Sequence, residues 1–284
     1  MSDARTDGRP GTLYCLPTPL GEDASPADCL AAPALRIAAD LDCFVAENAR
    51  SARAFLKRVP TRHVLQSIDI RELNEHSRPD ELPALLAPLL AGRDVGLISE
   101  AGCPGVADPG ADLIALAHDR GIRVVPLVGP SSILLALMAS GLNGQRFSFV
   151  GYVPTGSPER EQRLRALEAR SAVEQESVLM IETPYRAQAL LDVALRVLQP
   201  STRFSIAAEL TLTGESVRSA SVAAWRQRPP VLGKVPVVFG LLAQPALDAR
   251  SRRDDRPGAG QHRPPDRRRG APPPPQRRRS DSAP

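Results

Sequence analysis

Short apolar runs recur through the first 130 residues, separated by longer stretches in which apolar side chains return every three or four positions. The runs Thr12–Leu16, Cys43–Ala46, Val64–Ser67, Val95–Ile98 and Arg123–Pro126 have the length and β-branched content of strands. Between them, Ala27–Ala38, Ala49–Lys57, Asp80–Leu90 and Ala111–Asp119 carry the helical period. Pro79-Asp80 marks one helix start, and Gly121 closes the helix before Arg123. Strands alternating with amphipathic helices predict a mainly parallel sheet. After a helix at Ser131–Ser140 the pattern changes. Strand Phe147–Val150, a loop at 151–158 and a charged helix at Glu159–Arg170 lead into strand Val178–Glu182 and helix Tyr185–Leu198. Strands Arg203–Ala208, Glu215–Ser219 and Val235–Leu242 then follow with only a short helix around Trp225 between them, which predicts a mixed sheet. The expected fold class is α/β, with an N-terminal α/β domain over 11–140 and a C-terminal α/β domain over 141–246.

Composition changes this picture only at the ends. Hydrophobic residues make up 42% of the chain and charged residues 24%, as in an ordinary soluble globular protein. Residues 1–10 are polar, are expected to be flexible and lack the apolar core of a signal peptide. The longest apolar stretch, Ile133 to Ala139, is too short for a bilayer, so a cytoplasmic protein with no membrane contact is expected. Cys15, Cys29, Cys43 and Cys103 form no CxxC pair, and no metal site is expected from them. The net charge of +4 divides unevenly: residues 248–284 hold eleven arginines against five aspartates, which leaves the body mildly acidic. This Arg- and Pro-rich tail, 247–284, has no large apolar residue after Leu247 and is expected to be disordered. It suits an RNA-binding arm and a plain solvated extension equally.

The chemistry lies in the loops at the strand ends. No GxxxxGK[ST] phosphate loop is present, and no GxGxxG opens a helix after a strand. Instead the strands end in Leu16–Glu22, Glu47–Arg50, Ser99–Gly110, Gly129–Ser132, Glu182–Arg186 and Glu209–Thr211, most of them rich in Pro or Gly. Such loops let backbone amides and carbonyls approach a ligand closely, at the place where open α/β sheets bind theirs. Pro130 is suited to the first turn of the next helix, which would turn free amides toward an anionic group.

The ordered set Gly11-Thr12-Leu13-Tyr14…Pro17-Thr18-Pro19-Leu20-Gly21, Glu47-x-x-Arg50, Ser99-x-Ala101-Gly102-x-Pro104…Asp108-Pro109-Gly110, Gly129-Pro130-Ser131, Ala139-Ser140-Gly141-Leu142 and Glu182-x-Pro184-x-Arg186 resembles the tetrapyrrole methylase superfamily. Within that family it is most similar to the group that methylates small-subunit ribosomal RNA, and the resemblance spans Gly11 to about Leu242. The chain departs from that group at Asn48-Ala49, Glu100, Cys103, Thr183, Tyr185 and Ala208, and its Asn74-Glu75-His76 is a reduced form of a longer segment. These changes leave the cofactor cradle intact and alter positions that face the acceptor.

The resemblance implies S-adenosylmethionine (SAM) bound in a crevice between two α/β domains, and a homodimer. It places Pro19, Ala101, Gly102, Cys103, Val106, Ser131, Ser132, Glu182 and Leu210 at the cofactor. Glu47, Glu100 and Asp108 are the candidate bases for an alcohol acceptor such as a ribose 2′-hydroxyl. Glu47 with Arg50 also suits an ion pair at a helix start, and Asp108 suits a cap for the helix near Ala111. Cys103 would need a base to act as a nucleophile, and none is apparent. His76 and His118 fit a surface better than a site, whereas Tyr185 and Trp225 fit either an acceptor pocket or the core. Three functions follow: methylation of ribosomal RNA or the small ribosomal subunit, methylation of a small molecule such as a tetrapyrrole, or SAM binding without catalysis.

Overall fold

The computed structural model describes residues 8–244, so the Arg-rich tail and its expected RNA-binding role lie outside the described residues. The chain runs β1 (Thr12–Cys15), α1 (Pro26–Cys29), α2 (Ala32–Asp40), β2 (Cys43–Ala46), α3 (Ala49–Leu56), β3 (Asp69–Glu72), α4 (Leu82–Leu90), β4 (Val95–Ile98), α5 (Ala111–Asp119), β5 (Arg123–Pro126) and α6 (Ser132–Ser140). It continues through β6 (Phe147–Tyr152), α7 (Ser157–Glu174), β7 (Ser177–Glu182), α8 (Ala187–Val197), β8 (Arg203–Ala208), β9 (Ser216–Ser221), α9 (Val222–Gln227) and β10 (Val237–Leu242).

The first sheet is wholly parallel, in the order β3-β2-β4-β1-β5. Its central strands are buried on both faces, as β2 and β4 show throughout their length. One face packs Leu16, Phe44 and Ile98 against α2 and α3, and the other packs Leu13, Val45 and Leu97 against α4 and α5. The second sheet, β6-β7-β10-β8-β9, is mixed: β6 runs parallel to β7, and every other pair is antiparallel. Helices α7 to α9 cover one of its faces, over a core that includes the stacked rings of Phe204 and Phe239, 5.7 Å apart. Helix α6 covers the other, with Ile133 and Leu137 against Leu179, and Ala136 against Ala207 and Val238. The opposite side of α6 is apolar as well but open, with Leu134 56% and Met138 79% exposed.

Two local expectations are corrected. Val64–Ser67 is not a strand: Leu65–Ser67 forms a single 3-10 turn, and the strand is the next segment, Asp69–Glu72. β3 lies at the sheet edge, where half-solvated Asp69 and Arg71 pair with each other at 3.0 Å, so its sequence lacks the apolar run that marks a central strand. The helix expected at Ala27–Ala38 is broken after Cys29, because Pro33 has no N–H to donate and its ring clashes with the carbonyl four residues earlier. The chain restarts at Ala32 with Pro33 in the first turn, where both defects are harmless.

Candidate active site

Three loops leave the carboxyl ends of β1, β4 and β5 and are tied together there. Thr18 and Gly102 form a two-way backbone bridge, with the Thr18 amide donating to the Gly102 carbonyl at 2.9 Å and the reverse bond at 3.1 Å. The Thr18 hydroxyl also donates to the Ser99 carbonyl at 3.2 Å. The 99–110 loop coils tightly because Gly102 has φ +81° and Gly110 φ +132°, values that a side chain rarely accepts. Ala107 adopts φ +67° despite its Cβ, a strained conformation of the kind that clusters at ligand sites. Between the first and third loops the approach is closer still: a Cβ on Gly129 would lie 2.4 Å from the Pro17 Cβ. The Cys103 thiol donates to the Pro130 carbonyl at 3.4 Å and completes the lacing.

Pro130 lies just before helix α6 and not in its first turn; Ser131 is the N-cap and accepts from the Leu134 amide at 3.5 Å. The amides of Ser132 and Ile133 are thus the ones left at the helix start.

These loops form one wall of a crevice, and β7, β8 and β10 with their end loops form the other. Its narrow part, about 120 Å³, is lined by Ala101, Gly102, Cys103, Val106, Asp108, Ser131, Ser132 and Ile181. It shares Ala101, Ser132 and Ile181 with a wider part of about 300 Å³, lined also by Leu20, Tyr152, Glu182, Leu210 and Val238. The structure therefore gathers eight of the nine expected cofactor positions around one space. Pro19 is the exception, since it is buried behind the surface and its neighbour Leu20 lines the crevice. Ile181, Tyr152, Glu209 and Leu212 also line it and carried no sequence signal of their own. Glu209 (φ +51°) and Thr211 (φ +67°) are both left-handed without being glycine, so the loop that presents Leu210 is strained.

At one end the crevice meets an acidic cluster formed by Glu47, Glu100 and Asp108. The cluster arises because β2 and β4 are neighbours and parallel, which brings their exit loops side by side. Burial pushes the half-buried Asp108 carboxyl up, the Ser99 hydroxyl opposes the shift, and the Glu100 charge adds to it. Glu47 is also raised, by burial and then by the charges of Asp108 and Glu100, with a hydrogen bond from the Glu100 amide opposing them. Glu100 itself is exposed and accepts from the Ser51 hydroxyl at 3.0 Å.

The structural roles suggested for two of these carboxylates are filled by other residues. Asn48 caps α3 by accepting from the Arg50 and Ser51 amides, and among the described residues Glu47 makes no ion pair with Arg50. Gly110 is the N-cap of α5, so Asp108 does not cap it. Among the described residues no group of His, Cys, Asp or Glu is arranged to hold a metal ion. The Cys103 thiol is pushed up by burial and by the Asp108 charge, which keeps it protonated and a poor nucleophile.

At the other end stands Glu182, whose side chain is fully buried. Its Oε1 accepts from the Thr183 amide at 2.8 Å and from Arg186 at 2.7 and 2.9 Å. Its Oε2 is buried and has no hydrogen-bond partner. Buried carboxylate oxygens are seldom left unpaired, so one beside a ligand crevice is an acceptor awaiting a donor. Trp225 belongs to the core and donates its indole N–H to the Phe204 carbonyl at 2.8 Å, whereas Tyr185 is 80% exposed. His76 and His118 are both on the surface.

The sequence profile of the tetrapyrrole (corrin/porphyrin) methylases matches residues 13–225. The chain is 33% identical over 216 residues to a ribosomal RNA small subunit methyltransferase I of Escherichia coli O157:H7, covering 76% of this chain and 71% of that protein. It is 36% identical over 212 residues to the protein of the same name from Mesorhizobium japonicum, covering 75% and 68%. Among solved structures, the methyltransferase CobJ superposes with a TM-score of 0.53 at 15% identity over 82% of this chain and 94% of that one. A conserved hypothetical protein from Aeropyrum pernix K1 gives 0.57 at 14% identity over 84% and 86%. These two likenesses show the fold alone. The match across both sheets shows that the chain belongs to the tetrapyrrole methylase family.

Proposed function

We propose that this protein transfers a methyl group from SAM to a ribose 2′-hydroxyl of small-subunit ribosomal RNA. The observation that carries this reading is the position of Asp108, which lines the crevice and belongs to the acidic cluster as well. The chain's similarity to relatives named for small-subunit ribosomal RNA supports the choice of acceptor.

The residues of the crevice fit the cofactor. Glu182 offers an unpaired acceptor, Leu20, Leu210 and Val238 offer an apolar wall, and Ser132 and Ile133 offer helix-start amides suited to a carboxylate. Gly102 lets the Thr18 and Pro130 segments close on the loop, since a Cβ there would press on the Leu20 side chain at 3.3 Å, and its φ of +81° suits glycine. When bound, SAM supplies a methyl group already activated by its sulfonium. What the chain itself must do is orient the acceptor, keep water out and take up the hydroxyl proton. Asp108 is the base on this reading: half-buried, raised in pKa and at the crevice. Glu47 and Glu100 tune it by like charge.

Mapping the methyl groups of small-subunit RNA from a strain lacking the gene tests the proposal. We expect one ribose methyl group to be lost and then restored by the purified protein with labelled SAM. Full retention of RNA methylation would overturn the acceptor, and no heat of SAM binding in calorimetry would overturn the assignment altogether. An RNA acceptor places the reaction in the cytoplasm; no helix among the described residues is long and apolar enough to cross a membrane. We further propose a homodimer. β5 is an open sheet edge, and it borders an apolar groove of about 700 Å³ lined by Pro104, Val106, Ile114 and Leu127. Light scattering should give a dimer mass for the full chain, and a monomer at micromolar concentration would exclude this arrangement.

A further inference from the structure

Two exposed tyrosine rings lie on or next to segments that line the crevice. Tyr152, at the end of β6, is 57% exposed and lines the wider cavity. Tyr185 is 80% exposed and directly follows Thr183 and Pro184, which line the same cavity. The backbone here is firm: the Thr183 carbonyl accepts from both the Arg186 and the Ala187 amides at 3.0 Å, closing a turn around Tyr185. Across from it, the loop that leads into β10 is pinned by the Leu232 amide, which donates to Gln188 Oε1 at 2.7 Å. That loop carries Lys234, whose ammonium sits 5.4 Å from the centre of the Tyr185 ring. Among the described residues Lys234 makes no ion pair with a carboxylate, so its charge is free for an anion from outside.

We propose that Tyr185 and Lys234 form a platform for a single-stranded RNA nucleotide beside the one to be methylated: the base stacks on the ring and the phosphate meets the ammonium. This rests on the RNA reading above and adds a recognition element on the rim next to Glu182, away from Asp108, where a flanking stretch of the strand would lie. The argument is one of chemistry. Single-stranded RNA is recognised through bases splayed onto aromatic faces, with neighbouring cations on the backbone phosphates. A ring and an unpaired cation held in contact on two pinned loops, at the rim of the pocket, present both halves of that recognition.

The test uses the full chain with single-stranded RNA of small-subunit sequence carrying 2-aminopurine, and compares Tyr185→Ala, Tyr185→Phe and Lys234→Ala. For Tyr185→Ala we expect KM for RNA to rise about tenfold or more, the 2-aminopurine quenching to be lost, and both kcat and the Kd for SAM to stay within about twofold. Tyr185→Phe keeps the ring and should restore KM and quenching. Lys234→Ala should weaken RNA binding for every sequence and lower the salt slope by about one. An unchanged KM for Tyr185→Ala, with wild-type protein active on RNA, would overturn the platform and leave the RNA reading standing. A wild-type protein that methylates no RNA would overturn both. A Tyr185→Ala effect on a planar small-molecule acceptor in place of RNA would assign the ring to that molecule and overturn the RNA platform.

Discussion

Replacing Asp108 with asparagine should lower kcat for RNA methylation by about 10²- to 10⁴-fold, the usual worth of a positioned general base, while the Kd for SAM changes little. The substitution keeps the shape of the side chain and removes its ability to take a proton. The same change should make the protein more stable at neutral pH. Asp108 and Glu47 are both raised above the ordinary carboxylate value, chiefly by burial and then by the charges of their neighbours. The folded state therefore binds these protons more readily than the unfolded chain does. The cost of carrying the charges is present in full above the raised values and disappears below the unfolded value of about 4. Stability should thus rise as pH falls from neutral toward that range, until other carboxylates begin to lose their partners. Activity should move the opposite way, falling as Asp108 becomes protonated. In Asp108→Asn the stabilisation on acidification should be smaller, because one of the two raised groups is gone. Thermal melts of the two proteins across that pH range, set beside kcat profiles, check both halves. A variant with full activity would remove Asp108 from the role of base, and one destabilised at neutral pH would overturn the cost assigned to its charge.

The acidic cluster shows what a sequence can and cannot convey about such a site. Glu47, Glu100 and Asp108 were individually visible because each follows a strand and stands in a loop of small residues. Their convergence was implicit in the alternation of strands and helices, since parallel neighbours deliver their exit loops to one edge of the sheet. β2 and β4 were found with their boundaries intact for a related reason: they are central, and continuous burial writes an apolar run. β3 was misplaced by the same logic, because an edge strand of sequence Asp-Ile-Arg-Glu writes no such run. The crevice was less legible on its far wall. Ile181 reaches it through the packing of the second sheet against α6, and Leu212 and Tyr152 line it from the loop after β8 and the end of β6, placements that no local pattern records. Nor does a sequence reveal backbone strain at Ala107, Glu209 or Thr211, because tertiary packing holds non-glycine residues in a conformation their own propensities oppose. The orphaned oxygen of Glu182 is a third case. The residue was singled out by resemblance alone, and only the structure shows that one of its two oxygens is left without a partner.

That oxygen carries the second large effect. Glu182→Gln should weaken SAM binding by about 10- to 150-fold, the worth of a hydrogen bond to a charged acceptor, about 1.5–3 kcal/mol. The glutamine carbonyl can take over Oε1's bonds from the Thr183 amide and Arg186, so the local fold is kept. Its NH₂ group then occupies the place of Oε2 and presents donors where the ligand needs an acceptor. Stability without ligand should fall by about 1–3 kcal/mol, since the ion pair with Arg186 loses a charge and the buried NH₂ donors find no acceptor. Glu182→Ala would be a poorer test: it also strips Arg186 of its partner and opens a hole behind the crevice, mixing folding with binding. Calorimetric titration of Glu182→Gln with SAM, together with its thermal melt, separates the two effects. A Kd within about twofold of wild type would mean that the oxygen meets no donor on the ligand. The loss in Glu182→Gln should lie in Kd, and that in Asp108→Asn in kcat. Because the two residues stand at opposite ends of one crevice, that division of effects tests whether the space between them holds the cofactor at one end and meets the acceptor at the other.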